Sequence, residues 1–170
     1  MRTNVPHIFA IGDLVPGPML AHKATHEGTT AAEVISGRPG AFAPAAIPAV
    51  VFTDPEVAWC GLTEAEARAT GRPVRACRFP WQASGRAGTI GASAGLTKLL
   101  VDEDSGRVLG AGIVGVGAGD LIAEVNLAIE MGAVAEDLAE TIHPHPTLSE
   151  TVMEAADVFR GLSVHLHRKR

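Results

Sequence analysis

The chain has few cysteines, no excess of basic residues and no long hydrophobic run, and each shortage closes off a class of function. Cys60 and Cys77 are its two thiols, seventeen positions apart and outside any Cys-x-x-Cys spacing. That pattern fits structural thiols better than a disulfide or a metal site. Fourteen Lys and Arg stand against nineteen Asp and Glu, a formal net charge of −5. This leaves no electrostatic case for binding nucleic acid, and the basic end, Arg168-Lys169-Arg170, is too short to alter it. No apolar run reaches the length of a bilayer span, and no charged-then-apolar leader opens the sequence. The expectation is a soluble, cytoplasmic protein with no membrane partner. Seven histidines invite a metal, but none pairs with another ligand at zinc-knuckle spacing. His165-Leu166-His167 reads as a frayed tail rather than a chelate.

What is present suits a folded domain. The 170 residues are 46% hydrophobic, enough for one sizeable core, or one domain and a fragment of another. Residues 5–14 read as a short apolar strand ending in a Gly12-Asp13 turn. A helix is expected over 20–36, stopped by Gly37 and Pro39. Its Ala24, Gly28, Ala31 and Ile35 make a stripe of mostly small residues, suited to close approach by another backbone or a flat ligand, and equally to plain packing. Residues 38–46, rich in Pro, Gly and Ala, are the best domain boundary, dividing a segment 1–38 from a domain over 45–165.

Beyond the boundary the pattern changes. Residues 48–53 look like a buried strand, 57–62 like a second and 74–80 like a third. Thr63-Glu64-Ala65-Glu66 caps a short helix ending at Gly71. Residues 98–101 and 108–114 flank a hairpin connection at 102–107. Helices follow over 120–131, stopped by Gly132, and over 134–140. Strands first and helices last predict an α+β domain: an antiparallel sheet with helices on one side.

Gly110-Ala111-Gly112-Ile113-Val114-Gly115 matches G-x-G-x-x-G, but a dinucleotide site needs such glycines at the turn from a first parallel strand into a helix. Here they lie largely inside the second strand of a hairpin. A glycine-rich strand pressed against other backbone is the better reading.

The most informative run is His143-Pro144-His145-Pro146-Thr147-Leu148-Ser149-Glu150. The prolines hold His143 and His145 in extended backbone unless a His-Pro bond is cis. A helix is expected to start near Thr147, placing Glu150 in its first turn and His145 on the stiff approach. A carboxylate on one imidazole nitrogen fixes the tautomer and raises the basicity of the other. The same letters also spell a capping box in which Glu150 merely satisfies the Thr147 N–H. Spacing alone leaves both readings open.

Three segments, residues 3–13, 18–24 and 143–150, together resemble the C-terminal part of the flavin-dependent pyridine-nucleotide disulfide oxidoreductases, in consistent order over nearly the whole chain. Within that family the two histidines before Pro-Thr-Leu-Ser-Glu look most like the dihydrolipoamide dehydrogenases. Glutathione reductases look similar there but carry one histidine, and mercuric reductases lack it. The resemblance implies that Asp13 meets the ribityl chain of FAD and that Met19, Leu20, Ala21 and His22 pass the isoalloxazine ring. It implies that 1–38 is the last strand and helix of an FAD-binding domain and 45–165 the dimerisation (interface) domain of a homodimer. His145 matches the catalytic base, acting on redox thiols of the opposite subunit, and Glu150 its orienting carboxylate. A complete enzyme of this kind uses FAD and NAD and serves lipoyl domains of 2-oxoacid dehydrogenase complexes.

The chain departs from the family in what it does not carry: a dinucleotide fold for the ADP half of FAD, a Cys-x-x-x-x-Cys redox pair and a nicotinamide domain. Cys60 and Cys77 match nothing in that pair. The expectation is a truncation, an internal start or an excised piece, inactive by itself and holding no cofactor tightly. Two rivals remain: a stand-alone, non-catalytic dimerisation module, and a fragment of a glutathione-reductase-like enzyme.

Overall fold

The computed structural model describes residues 1–166, so His167 and the basic end 168–170 lie outside the described residues. The chain divides into two compact units, Met1–Pro44 and Ala45–Arg170.

In the first unit, residues 5–14 do not form the expected strand. They hold one isolated antiparallel bridge, Arg2 to Phe9, and a single 3-10 turn at Gly12–Leu14. An extended segment becomes a strand only where another backbone supplies its hydrogen bonds. Here residues 1–3 are what lies opposite, through Thr3 N–H to Ile8 O and Ala10 N–H to Met1 O. Helix α1, Ala21–Ile35, forms as expected, but its inner stripe is Lys23, Glu27 and Ala31, whereas Ile35 is exposed. Of the expected stripe Ala31 is buried and Ala24 and Gly28 are half-buried, because two charges share the inner face. Lys23 Nζ and Glu27 Oε1 lie 3.0 Å apart, and both also bond the Gly12 backbone. Buried charges persist when paired in this way.

The second unit is a five-stranded antiparallel sheet in the order β1-β2-β5-β4-β3, with β1 Ala49–Val51, β2 Val57–Gly61, β3 Val74–Pro80, β4 Leu96–Asp102 and β5 Val108–Val114. Pleat alternation sorts its faces. Cys60, Ala111, Leu99 and Cys77 stand in one cross-strand row and are buried; in the next row Trp59, Gly112, Lys98 and Arg78 point the opposite way, with Trp59 and Arg78 exposed. On the buried face lie α4, Ala118–Met131, against β5 and β2, and α6, Glu150–Arg160, against β3 and β4. Ile122, Val125 and Val152 fill the space between. The α+β reading with the main helices on one side therefore holds.

Shorter helices complete the unit: α2, Glu64–Thr70; α3, Gly85–Thr89; and α5, Ala135–Glu140, which packs on α6. The Thr63/Glu66 capping box starts α2, and left-handed glycines, Gly71 and Gly132, end α2 and α4. On the open face of the sheet, Glu64 receives Lys98 at 2.8 Å and Arg78 at 2.7 Å. The segment 48–53 is not a buried strand: β1 is an edge, with Val51 and Phe52 exposed. Among the described residues no helix is long and apolar enough to cross a membrane.

Candidate active site

Helix α6 begins at Glu150 with Ser149 as its N-cap, two residues later than the capping-box reading places it. The Thr147 hydroxyl, which that reading assigns to a helix N–H, instead donates to Pro144 O at 2.7 Å and lies 2.9 Å from Ser149 Oγ. Half of the box survives: Glu150 Oε2 accepts the Thr147 N–H at 2.7 Å. Its other oxygen, Oε1, lies 2.9 Å from His145 Nδ1. The two readings left open by the spacing are thus compatible, one carboxylate oxygen serving each. The His145–Pro146 peptide is cis.

The environments of the two groups differ. Glu150 is mostly buried and the His145 side chain is 77% exposed. Burial alone would raise the Glu150 carboxyl, but the Thr147 amide and the His145 ring outweigh it and hold the group below its ordinary value of 4.5. A depressed carboxylate contributes its stabilisation above that value and loses it as pH falls through the folded-state value. At neutral pH Glu150 is therefore ionised and can only accept. The hydrogen bond to an ionised carboxylate calls for a proton on His145 Nδ1, so that in the neutral ring the lone pair is on Nε2, on a side chain that is largely exposed.

His143 is placed in the opposite manner. Its side chain is 5% exposed, with Nδ1 2.8 Å from Thr141 O and Nε2 2.7 Å from Glu124 Oε1 of α4. Both ring nitrogens face acceptors, so neither offers a lone pair to a substrate. Spacing alone did not reveal Glu124, nineteen residues upstream; its sequence signal is only an acidic residue on α4.

The residues that the resemblance assigns to a flavin sit in the first unit. Asp13 is exposed in the 3-10 turn; Met19, Ala21 and His22 are exposed and Leu20 half-buried at the start of α1. Sequence reasoning missed what steadies this turn. Glu27 Oε2 accepts the Gly12 N–H at 2.7 Å and Lys23 Nζ donates to Gly12 O at 3.1 Å. The Gly12 amide and the Lys23 ammonium hold Glu27 below the ordinary carboxylate value despite its burial. An i, i+4 Lys-Glu pair was the available signal, ordinarily a surface feature. A cleft of about 500 Å³ in this unit is lined by Met1, Arg2, Phe9, Val15 and Glu27 among others. It includes neither Asp13 nor residues 19–22, so the assigned flavin residues do not share it.

The glycine run is structural. A Cβ on Gly110 would come 2.0 Å from Leu62 O, and one on Gly115 2.3 Å from the Trp81 ring. Both positions are bare because other atoms occupy the space. Cys60 and Cys77 are free and buried; desolvation pushes their thiols up to about 12 and about 11. Neither is a nucleophile at neutral pH.

Residues 47–156 match the pyridine nucleotide-disulphide oxidoreductase dimerisation domain. The dihydrolipoyl dehydrogenase of Vibrio parahaemolyticus is 56% identical over 170 residues, covering 100% of this chain and 36% of that protein. That of Geobacillus stearothermophilus is 54% identical over 168 residues, 99% of this chain and 36% of the relative. The chain thus spans about a third of the length of the curated relatives it matches. Among solved structures, LpdA from Mycobacterium tuberculosis superposes with a TM-score of 0.83 at 28% identity, covering 91% of this chain and 34% of that one. The HOCl-induced flavoprotein disulfide reductase RclA from Escherichia coli gives 0.82 at 24% identity, over 92% and 36%, a likeness of fold alone.

Proposed function

Since the chain belongs to the pyridine nucleotide-disulphide oxidoreductase dimerisation-domain family, we propose that it is the interface part of a dihydrolipoamide dehydrogenase and supplies that enzyme's proton-transfer pair. In this reading residues 45–165 are the interface domain of a cytoplasmic homodimer, and 1–38 are the closing segment and helix of an FAD-binding domain. Dihydrolipoyl groups carried on lipoyl domains of 2-oxoacid dehydrogenase complexes are the substrate.

The observation that carries the proposal is the contrast between the two histidines. His145 has Nδ1 on Glu150 and Nε2 left for a proton; His143 has both nitrogens engaged. His145 Nε2 takes the proton from a substrate thiol as its sulfur attacks one sulfur of the redox disulfide on the opposite subunit. The substrate–enzyme S–S bond forms, the enzyme S–S bond breaks, and the leaving sulfur departs as a thiolate. The second substrate thiol then closes the lipoyl disulfide as the substrate–enzyme S–S bond breaks, its proton passing to the freed enzyme sulfur, which leaves the enzyme reduced by two electrons. Glu150 steadies the imidazolium while it holds the proton.

The residues present fit part of a flavin. Asp13 is an exposed carboxylate on a turn held rigidly by Lys23 and Glu27, suited to ribityl hydroxyls, and Met19, Leu20, Ala21 and His22 offer an open helix start to the ring. FAD, when bound, supplies the electron acceptor that passes the pair on to NAD. The glycine turn Gly115-Val116-Gly117 joins β5 to α4, but β5 is antiparallel to both of its neighbours rather than the first strand of a parallel unit, so the isolated chain is expected to hold FAD weakly.

The test is a chimera in which this chain replaces the matching third of the Vibrio parahaemolyticus relative. It should reduce NAD with dihydrolipoamide. His145→Ala should lower turnover about 10²- to 10⁴-fold, the range of a general base. His143→Ala should stay within about tenfold, as expected of a residue outside the proton transfer, and Glu150→Gln should fall between them. An active chimera in which His145→Ala is nearly silent would overturn the assignment.

A further inference from the structure

Helix α6 starts without a side-chain cap: Ser149, its N-cap residue, makes no such bond. Its first turn is held from inside the core instead. The Thr151 hydroxyl donates to Leu148 O at 2.7 Å, the same carbonyl that accepts the Thr151 N–H at 3.0 Å. Thr151 Oγ1 also lies 2.8 Å from Thr97 Oγ1 of β4, which accepts the Trp81 indole N–H at 3.0 Å. All three residues are completely buried. A hydroxyl has one proton to give. With that of Thr151 committed to Leu148, Thr97 gives its own to Thr151. The chain therefore runs one way, from Trp81 through Thr97 and Thr151 to the Leu148 carbonyl, and satisfies both hydroxyls and the indole N–H. Its far end is fixed as well. A Cβ on Gly95 or Gly115 would come within 2.5 or 2.3 Å of the Trp81 ring, so the two bare positions form the slot the indole fills.

We propose that this buried hydrogen-bond chain is the device that holds Glu150 on His145, with Thr97 and Thr151 as positioning residues. The inference rests on the reading of His145 and Glu150 as the proton-transfer pair. Glu150 has to serve the Thr147 amide with one oxygen and His145 with the other, which tolerates little rotation of the first helical turn. Leu148 and Thr151 bracket Ser149 and Glu150, and tying both to the sheet stops that rotation. Neutral hydroxyls achieve this without setting a second charge beside the pair.

The experiment compares the 170-residue chain with its Thr151→Val, Thr151→Ser and Thr97→Val variants by NMR, each after its fold has been confirmed. Three signals are read: the hydroxyl protons of Thr97 and Thr151, exchange of the Thr147 amide, and titration of the Glu150 carboxyl carbon. In the unsubstituted chain both hydroxyl protons should exchange slowly. Thr151→Val should move the Glu150 midpoint up towards the ordinary carboxylate range and speed Thr147 exchange; Thr151→Ser should restore both. In the chimera Thr151→Val should lower kcat on the order of tenfold, short of the hundredfold an ångström of misplacement can cost, with KM for dihydrolipoamide little changed. Should Thr151→Val not fold, Thr97→Val, which keeps the Leu148 bond, decides by the same signals. Fast-exchanging hydroxyls in the unsubstituted chain, or folded valine variants with unmoved Glu150 and Thr147, would overturn the proposal. NMR effects as expected beside an inactive unsubstituted chimera would leave the positioning role standing and sink the functional reading.

Discussion

At the scale of single residues, partners close in the sequence were legible and distant ones were not. His145 and Glu150 are five positions apart, so local spacing offered their pairing beside the capping box, and the resemblance favoured it. The partner of His143 lies nineteen positions upstream, and Thr97 and Thr151 meet across fifty-four; no periodicity joins such positions. Lys23 and Glu27 went unread because the same letters at the same spacing usually mark a solvated face. The cysteines were legible through what they lacked. Burial raises both thiols to about 12 and about 11, so thiolate is scarce near neutrality and access is closed. Incubated with a thiol-specific disulfide reagent at mildly alkaline pH, the folded chain should show almost no reaction, and both thiols should react after unfolding in guanidinium. Rapid labelling of one thiol in the native chain would mean that it has a reactive role the fold does not account for.

Elements with internal consistency were legible, and those that depend on neighbours were not. The capping box and left-handed glycine made α2 readable from both ends, and the 102–107 turn placed β4 beside β5. Residues 5–14 have strand-like letters but little opposite them to bond. β1 has the same apolar character as a central strand and differs only in lying at the edge. α3, five residues starting at Gly85, is too short to carry a periodic signal. The glycine run in β5 separates packing from phosphate binding by experiment. A Cβ on Gly110 would meet backbone, which cannot yield, whereas on Gly112 it would find only Lys98 Cε at 3.8 Å. Gly110→Ala should therefore cost about 3 kcal/mol, the top of the overpacking range. Gly112→Ala should be neutral or stabilising by about 0.5 kcal/mol, since alanine loses less backbone freedom. Urea unfolding of the two variants provides the comparison; equal costs would contradict the packing account.

For the whole molecule, the question is which surface makes the dimer that the family's dimerisation domain supports. The apolar letters of α4 and α6 suggest more surface than one sheet can cover, but most of it is internal: Ile122, Val125 and Val152 are buried, and Leu121, Ile129, Met153 and Phe159 are half-buried. What stays outside is narrower. Leu127 and Met131, one helical turn apart on α4, are 59% and 76% exposed, and Glu124, the His143 partner, precedes Leu127 at i−3 on the same face. In the proposed reading, an apolar stripe that runs on towards the histidine segment is where a second subunit would bring redox thiols within reach of His145. Homodimer interfaces of this kind bury upwards of about 2,000 Å², and a charge set into the middle of one removes a hot spot of about 2 kcal/mol or more, close to thirtyfold in dissociation constant. Sedimentation equilibrium at micromolar concentration should find the chain dimeric. Leu127→Glu and Met131→Glu should each shift it towards monomer while circular dichroism stays native, because both side chains already face outward and neither supports the core. A chain that is monomeric from the start would remove the dimer from the reading, and a dimer indifferent to both charges would place the interface elsewhere, with the exposed Trp59 on the opposite sheet face and the exposed Phe52 just beyond β1 the next residues to substitute.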